Sequence, residues 1–201
     1  MNRIIFATGN AGKMVEVREI LAGVDAEVLS MKEAGIKADI VEDGSTFEEN
    51  ALIKARAIHA QCGCLVLADD SGLEVDAMDK APGIYSARFM GEDTSYEIKN
   101  QNIIDRLADA KGDERSARFV CNIAAVLPDG RVLHTEAAME GQIAEKPAGC
   151  GGFGYDPILY LPEFGMTSAE LTMEQKNAIS HRGKALEAMK RELAHYFEEE
   201  S

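Results

Sequence analysis

Four short stretches of this chain combine residue types that can do chemistry. In the first, Thr8-Gly9-Asn10-Ala11-Gly12-Lys13, two glycines stand among hydrogen-bonding side chains and an ammonium. Glycine permits close backbone approach, and a lysine beside a helix start adds positive charge, so the stretch suits a phosphate. It is not a Walker A loop: Gly9 and Gly12 stand too close together, and Met14 follows the lysine where a hydroxyl residue is required. Alone, it reads equally well as a strand-to-helix turn with a surface lysine.

The second stretch, Asp69-Asp70-Ser71-Gly72, sets adjacent carboxylates after an apolar run. Buried charge is costly unless paired or metal-bound. Mg2+, which takes one or two carboxylates plus substrate phosphates, would account for the pair. An Asp-rich turn capping the next element is the other reading. Glu42-Asp43 and Glu48-Glu49 are further acidic candidates, the latter explained by helix capping. In the third stretch, Gly151-Gly152-Phe153-Gly154-Tyr155-Asp156-Pro157, glycines flank two aromatics. That leaves a ring open to stack a planar base, unless both rings pack inward. The fourth, residues 176–183, gathers Lys176, His181 and Arg182 in an acidic chain. Such donors suit phosphate or the six-position oxygen of a purine, against the alternative of a helix start at Ser180 with solvated charges.

Elements of alternating type must position these stretches. Residues 3–7 form an apolar run that predicts a buried strand, and residues 12–22 show helical spacing through Val15, Val17, Ile20 and Leu21. A second strand is expected at 26–30. Ser45 with Glu48, and Thr46 with Glu49, are two candidate capping boxes opening a helix to about residue 59. Residues 64–68 predict a strand that ends at Asp69, and Pro82-Gly83 predicts a turn. Thr94 or Ser95 begins another helix, residues 117–127 and 131–140 pair through Pro128-Asp129-Gly130, and residues 182–197 form a last helix before a frayed 198–200 tail. The order predicts a mixed α/β fold in one domain.

Composition narrows the partners. A net charge of -14 argues against nucleic-acid and anionic-membrane partners. No apolar run approaches the roughly 20 residues of a membrane span. The four cysteines lack zinc spacing and read as reduced, mostly buried thiols in a cytoplasmic protein.

In this order, ATGNAGK, DGSTFEENALIKARA, ADDSGLEVDAM, APGIYSARF, GGFGYDPI and ELTMEQKNAISHRGKAL resemble the inosine triphosphate pyrophosphatase family from Ala7 to Leu186. The resemblance implies an elongated mixed sheet splayed into two lobes, helices on both faces, and a nucleotide cleft between the lobes. It also implies a homodimer, a need for Mg2+, and hydrolysis of ITP, dITP or XTP to the monophosphate and pyrophosphate. Carried onto this sequence, residues Thr8 to Lys13 and Lys54 would hold the triphosphate. Asp70 would be the catalytic carboxylate and, with Glu42, a metal ligand, and Ser71 would touch substrate. Phe153, Gly154, Tyr155 and Asp156 would form the base platform, with Lys176, His181 and Arg182 closing on the base. The chain departs from the family at Val41-Glu42-Asp43, which leaves Glu42 or Asp43 as the metal ligand, and at Met166, where a surface contact would change. Two rival readings are a nucleotide sensor without catalysis and a pyrophosphatase for pyrimidine or modified nucleotides.

Overall fold

A computed structural model describes residues 2–199. Seven strands form one mixed sheet in the order β2-β1-β3-β4-β5-β6-β7. They are β1 (Asn2–Phe6), β2 (Ala26–Ser30), β3 (Leu65–Val75), β4 (Ser116–Val126), β5 (Val132–Ile143), β6 (Leu159–Leu161) and β7 (Met166–Thr167). The helices are α1 (Ala11–Ile20), α2 (Phe47–Cys62), α3 (Tyr96–Arg106), α4 (Met173–Ile179) and α5 (His181–Glu199). β1 runs parallel to β2 and β3, whereas β6 is antiparallel to β5 and β7. The chain divides into two compact units: Met1–Asp70, Cys121–Ala137 and Arg182–Ser201 form the first, and Ser71–Val120 with Ala138–His181 form the second. Among the described residues no helix is long and apolar enough to cross a membrane.

The first unit is a covered sheet, and strand alternation decides which helix covers which face. Ile4, Phe6, Leu65, Leu67, Cys121 and Ile123 point to one side and pack with α1 and α5. Ile5, Ala7, Val66, Ala68, Ala124 and Val126 point to the other and pack with Ala51, Ala55 and Ile58 of α2. Leu67 is fully buried, so Leu67→Ala would cost roughly 2–5 kcal/mol. In the second unit Leu73, Val75, Ile103, Phe119, Ile158 and Leu159 centre a separate core.

Several expectations are corrected. β3 does not end at Asp69 but continues to Val75, because the apolar alternation resumes at Leu73 and Val75 and the carboxylates find cationic partners. α1 buries Met14, Val17 and Ile20, leaving Val15 exposed. At the start of α2 neither box closes: Thr46 caps the helix by accepting the Glu49 N–H, but the Glu49 carboxylate accepts the N–H and hydroxyl of Ser45 rather than the Thr46 N–H. Its helix runs on to Cys62, where left-handed Gly63 stops it. Only Cys121 is buried; Cys62 and Cys64 are half-exposed and Cys150 is exposed. Met166 packs against the second core rather than lying on the surface. α5 stays helical through Glu199, while Glu200 lies outside the described residues.

Candidate active site

β3 delivers the site through the same alternation that builds the core. Continuing from Leu67 and Ala68, Asp69 falls on the α1/α5 side and Asp70 on the α2 side. The adjacent carboxylates therefore do not share one ligand. Asp69, 1% exposed, accepts two hydrogen bonds from Lys13 Nζ at 3.0 and 2.9 Å and one from Arg182 Nε at 3.3 Å. Arg182 also donates to Glu16 at 2.5 Å. Burial works to raise the Asp69 carboxyl, but Lys13, Arg182 and Lys54 outweigh it and hold the group well below the usual carboxylate range.

Asp70 meets a thinner set of partners. Lys54 Nζ, from α2, donates to Asp70 Oδ1 at 3.2 Å and to Glu42 at 2.9 Å. Asp70 Oδ2 is buried and has no hydrogen-bond partner. Burial pushes the Asp70 carboxyl up, Lys54 offsets part of that, and the neighbouring Glu42 charge adds to it. Lys54 is partly buried, which favours its neutral form, yet Asp70, Asp69 and Glu42 together raise it above its ordinary value. Of the two residues left open at the departure from the family pattern, Glu42 joins Lys54 while Asp43 is exposed.

The turn from β1 to α1 is organised by its own side chains. Asn10 caps the helix, its Oδ1 accepting the N–H groups of Gly12 at 2.8 Å and Lys13 at 3.2 Å. Thr8 accepts the Asn10 N–H at 3.1 Å. Thr8 and Gly9 also line a cleft of about 550 Å³ shared with Glu42, Lys54, Lys32 and Lys37. The two last lysines come from the 31–40 loop, whose sequence carries no periodicity to mark it. Glu16 was missed too; its only sequence signal is a charge between Val15 and Val17 on the buried side of α1.

In the second unit the glycine-rich stretch separates its two aromatics. Phe153 is 38% exposed, with Lys176 Nζ 5.2 Å from its ring centre, whereas Tyr155 is 4% exposed. Tyr155 packs edge-on to Tyr96 and donates to the Ser86 carbonyl at 2.7 Å. Asp156 is buried as a hub, accepting from Phe153 N–H (2.8 Å), Ser168 Oγ (2.7 Å) and Lys176 Nζ (2.7 Å). Gly152 has φ +69°, and a Cβ there would lie 2.1 Å from Asp156 Oδ2. The Gly154 carbonyl accepts from Asn100. His181 is buried against the Phe119 ring, and Ser71, next to Asp70, is half-buried.

Known proteins match this chain over nearly its whole length. A dITP/XTP pyrophosphatase of Clostridium perfringens is 46% identical over 199 residues, spanning 96% of this chain and 98% of its own. The dITP/XTP pyrophosphatase of Exiguobacterium sibiricum is 46% identical, spanning 98% and 100%. Among solved structures, a HAM1 protein from Coxiella burnetii superposes with a TM-score of 0.89 at 41% identity, covering 97% of this chain and 100% of that one. A nucleoside-triphosphatase (dITP/XTP pyrophosphatase) from Mycobacterium abscessus gives 0.75 at 39%, covering 93% and 98%. The family model described as Ham1 matches residues 4–192, and the chain belongs to the Ham1 family.

Proposed function

We propose that this chain hydrolyses non-standard purine nucleoside triphosphates, dITP, ITP and XTP, to the monophosphate and pyrophosphate. The observation that carries the reading is the half-satisfied Asp70 carboxylate, buried and bonded to Lys54, which itself lines the cleft with Lys32 and Lys37. A carboxylate held this way has a free oxygen and an increased affinity for a proton. It suits a base that orients a water and takes its proton as the water oxygen bonds to the α-phosphorus. The bond from that phosphorus to the bridging oxygen then breaks, and pyrophosphate leaves with the electron pair. Lys54, Lys32 and Lys37 offset the charge of the leaving pyrophosphate, and the Thr8–Lys13 turn seats the phosphate chain.

The donors also fit a metal. Among the described residues no group of three or more His, Cys, Asp and Glu side chains could hold one. Mg2+ asks for less, since it completes its shell with substrate phosphates and water. Asp70, through its orphaned oxygen, and Glu42 would hold it. When bound, Mg2+ would neutralise phosphate charge and polarise the bond to be broken.

The base falls to the glycine-rich stretch in this reading. Phe153, 38% exposed, offers its ring for stacking beside Lys176, with Gly154 in the same loop. Tyr155 and Asp156 hold the loop, and Lys176 and His181 supply donors. Arg182 and Ser71 belong to the same substrate set, Arg182 in addition bracing Asp69 and Glu16. Donors favour the six-position oxygen of hypoxanthine and xanthine and oppose the amino group of adenine. A cytoplasmic homodimer completes the reading, and sedimentation velocity tests the dimer. The function itself is tested by pyrophosphate release from equal concentrations of dITP, ITP, XTP, ATP, GTP, UTP and dTTP, with and without Mg2+. Fast release from dITP, ITP and XTP only with the metal is expected. Dominant turnover of UTP or dTTP, or release from none, overturns it.

A further inference from the structure

The junction between α2 and β3 carries two thiols outside the site described above. Cys62 is the last residue of α2, Gly63 follows with φ 61° and ψ 12°, and Cys64 precedes β3. Fully extended, a three-residue segment would hold its end Cα atoms about 7 Å apart, at the limit of the roughly 4.4–6.8 Å that a disulfide spans. The left-handed turn at Gly63 shortens that distance. It brings the Cys64 N–H to 3.3 Å from Cys62 Sγ, and Cys64 Sγ to 3.4 Å from the Cys62 carbonyl. Both thiols are free and half-exposed, so a small reagent can reach them, whereas Cys121 is buried.

We propose that Cys62 and Cys64 form a dithiol site that reacts with low-molecular-weight disulfides and closes into an intrachain disulfide. One cysteine, as thiolate, attacks a sulfur of the small disulfide and expels a thiolate, giving a mixed disulfide. The second cysteine, losing its proton, attacks the protein sulfur of that bond and expels the other small thiolate. Two protein thiols are oxidised, one small disulfide is reduced to two thiols, and the two protons end on the departing thiolates. Proximity favours closure over a lasting adduct, because the turn at Gly63 already folds the Cys64 backbone onto Cys62 Sγ and Cys64 Sγ onto the Cys62 carbonyl. Burial pushes the Cys62 thiol up, so exchange through that sulfur speeds up as pH rises towards the alkaline range.

The test uses the full chain, reduced and then held in graded mixtures of glutathione and glutathione disulfide. Free thiols are trapped with iodoacetamide before tryptic digestion. Residues 57–80 lie between cleavage points at Arg56 and Lys80 and contain both cysteines and no other. The expected product is this peptide two hydrogens lighter and unalkylated, restored by dithiothreitol, with Cys121 and Cys150 bridged to neither. In Cys62→Ser the same peptide should instead carry a glutathione adduct on Cys64. Stable adducts on the unmodified chain, bridges to Cys121 or Cys150, a peptide that stays alkylated throughout, or a Cys62→Ser peptide without an adduct would each overturn the proposal.

Discussion

Asp69 and Asp70 are neighbours in the chain, yet the two faces of β3 give them opposite lives. On the α1/α5 face Asp69 is surrounded by Lys13 and Arg182 and held firmly ionised. On the α2 face Asp70 keeps one buried oxygen without a partner and is pushed towards its protonated form. One face satisfies its charge completely and so contributes to structure. The other leaves a charge incompletely compensated, the usual condition of a group whose partner arrives with the substrate.

The comparison can be broken most sharply by Asp70→Asn. Removing the proposed general base should lower turnover by about 10²–10⁴-fold, while the melting temperature stays level or rises because an under-solvated charge is gone. A pyrophosphate-release assay beside a thermal melt checks both, and near-normal turnover would end the distinction. Asp69→Asn should act the other way round. It leaves Arg182 and Lys13 without their shared carboxylate, a loss of roughly 3–5 kcal/mol for a broken buried pair, read from urea unfolding.

The pH dependence of folding, measured in chelator, separates the faces by sign. Asp69 has a lowered folded pKa, so its stabilisation is present above the unfolded value of about 3.9 and is lost as pH falls through the folded one. Asp70 has a raised folded pKa. Its contribution is present below about 3.9 and is lost as pH rises through the folded value. Asp69→Asn should therefore flatten the acid limb, and Asp70→Asn should remove a decline on the way from pH 4 towards neutrality. The smallest effect is expected on the cleft wall. Replacing Lys32 and Lys37 together by Ala should weaken pyrophosphate product inhibition by about 3–10-fold, on the scale of about 0.2–1 kcal/mol for each exposed charge, with folding unchanged.

Much of this was legible in the residues. β2 was read to the residue, the 128–130 turn and the capped start of α2 were found, and the motif order led to the family. The misreadings share a cause: a short sequence window does not show a distant partner. Asp-Asp-Ser-Gly looks like a strand end until Lys13, 56 positions earlier, and Arg182, 113 positions later, supply the charges that let the strand continue. The glycine-rich stretch supported both an open ring and packed rings, and each proved right for one aromatic, Phe153 open and Tyr155 buried. Lys32 and Lys37 had no periodicity to announce them, because a loop lines a cleft by its path and not by its spacing.

Asn10 lends the β1–α1 turn a further property. Its carboxamide oxygen already rests on the amides of Gly12 and Lys13, putting partial negative charge at the point where a helix start attracts anions. The turn thus keeps its bend whether or not a polyphosphate is near, and an incoming ligand spends little ordering entropy there. An arriving phosphate oxygen must share those two amides with the resident carboxamide or find other donors.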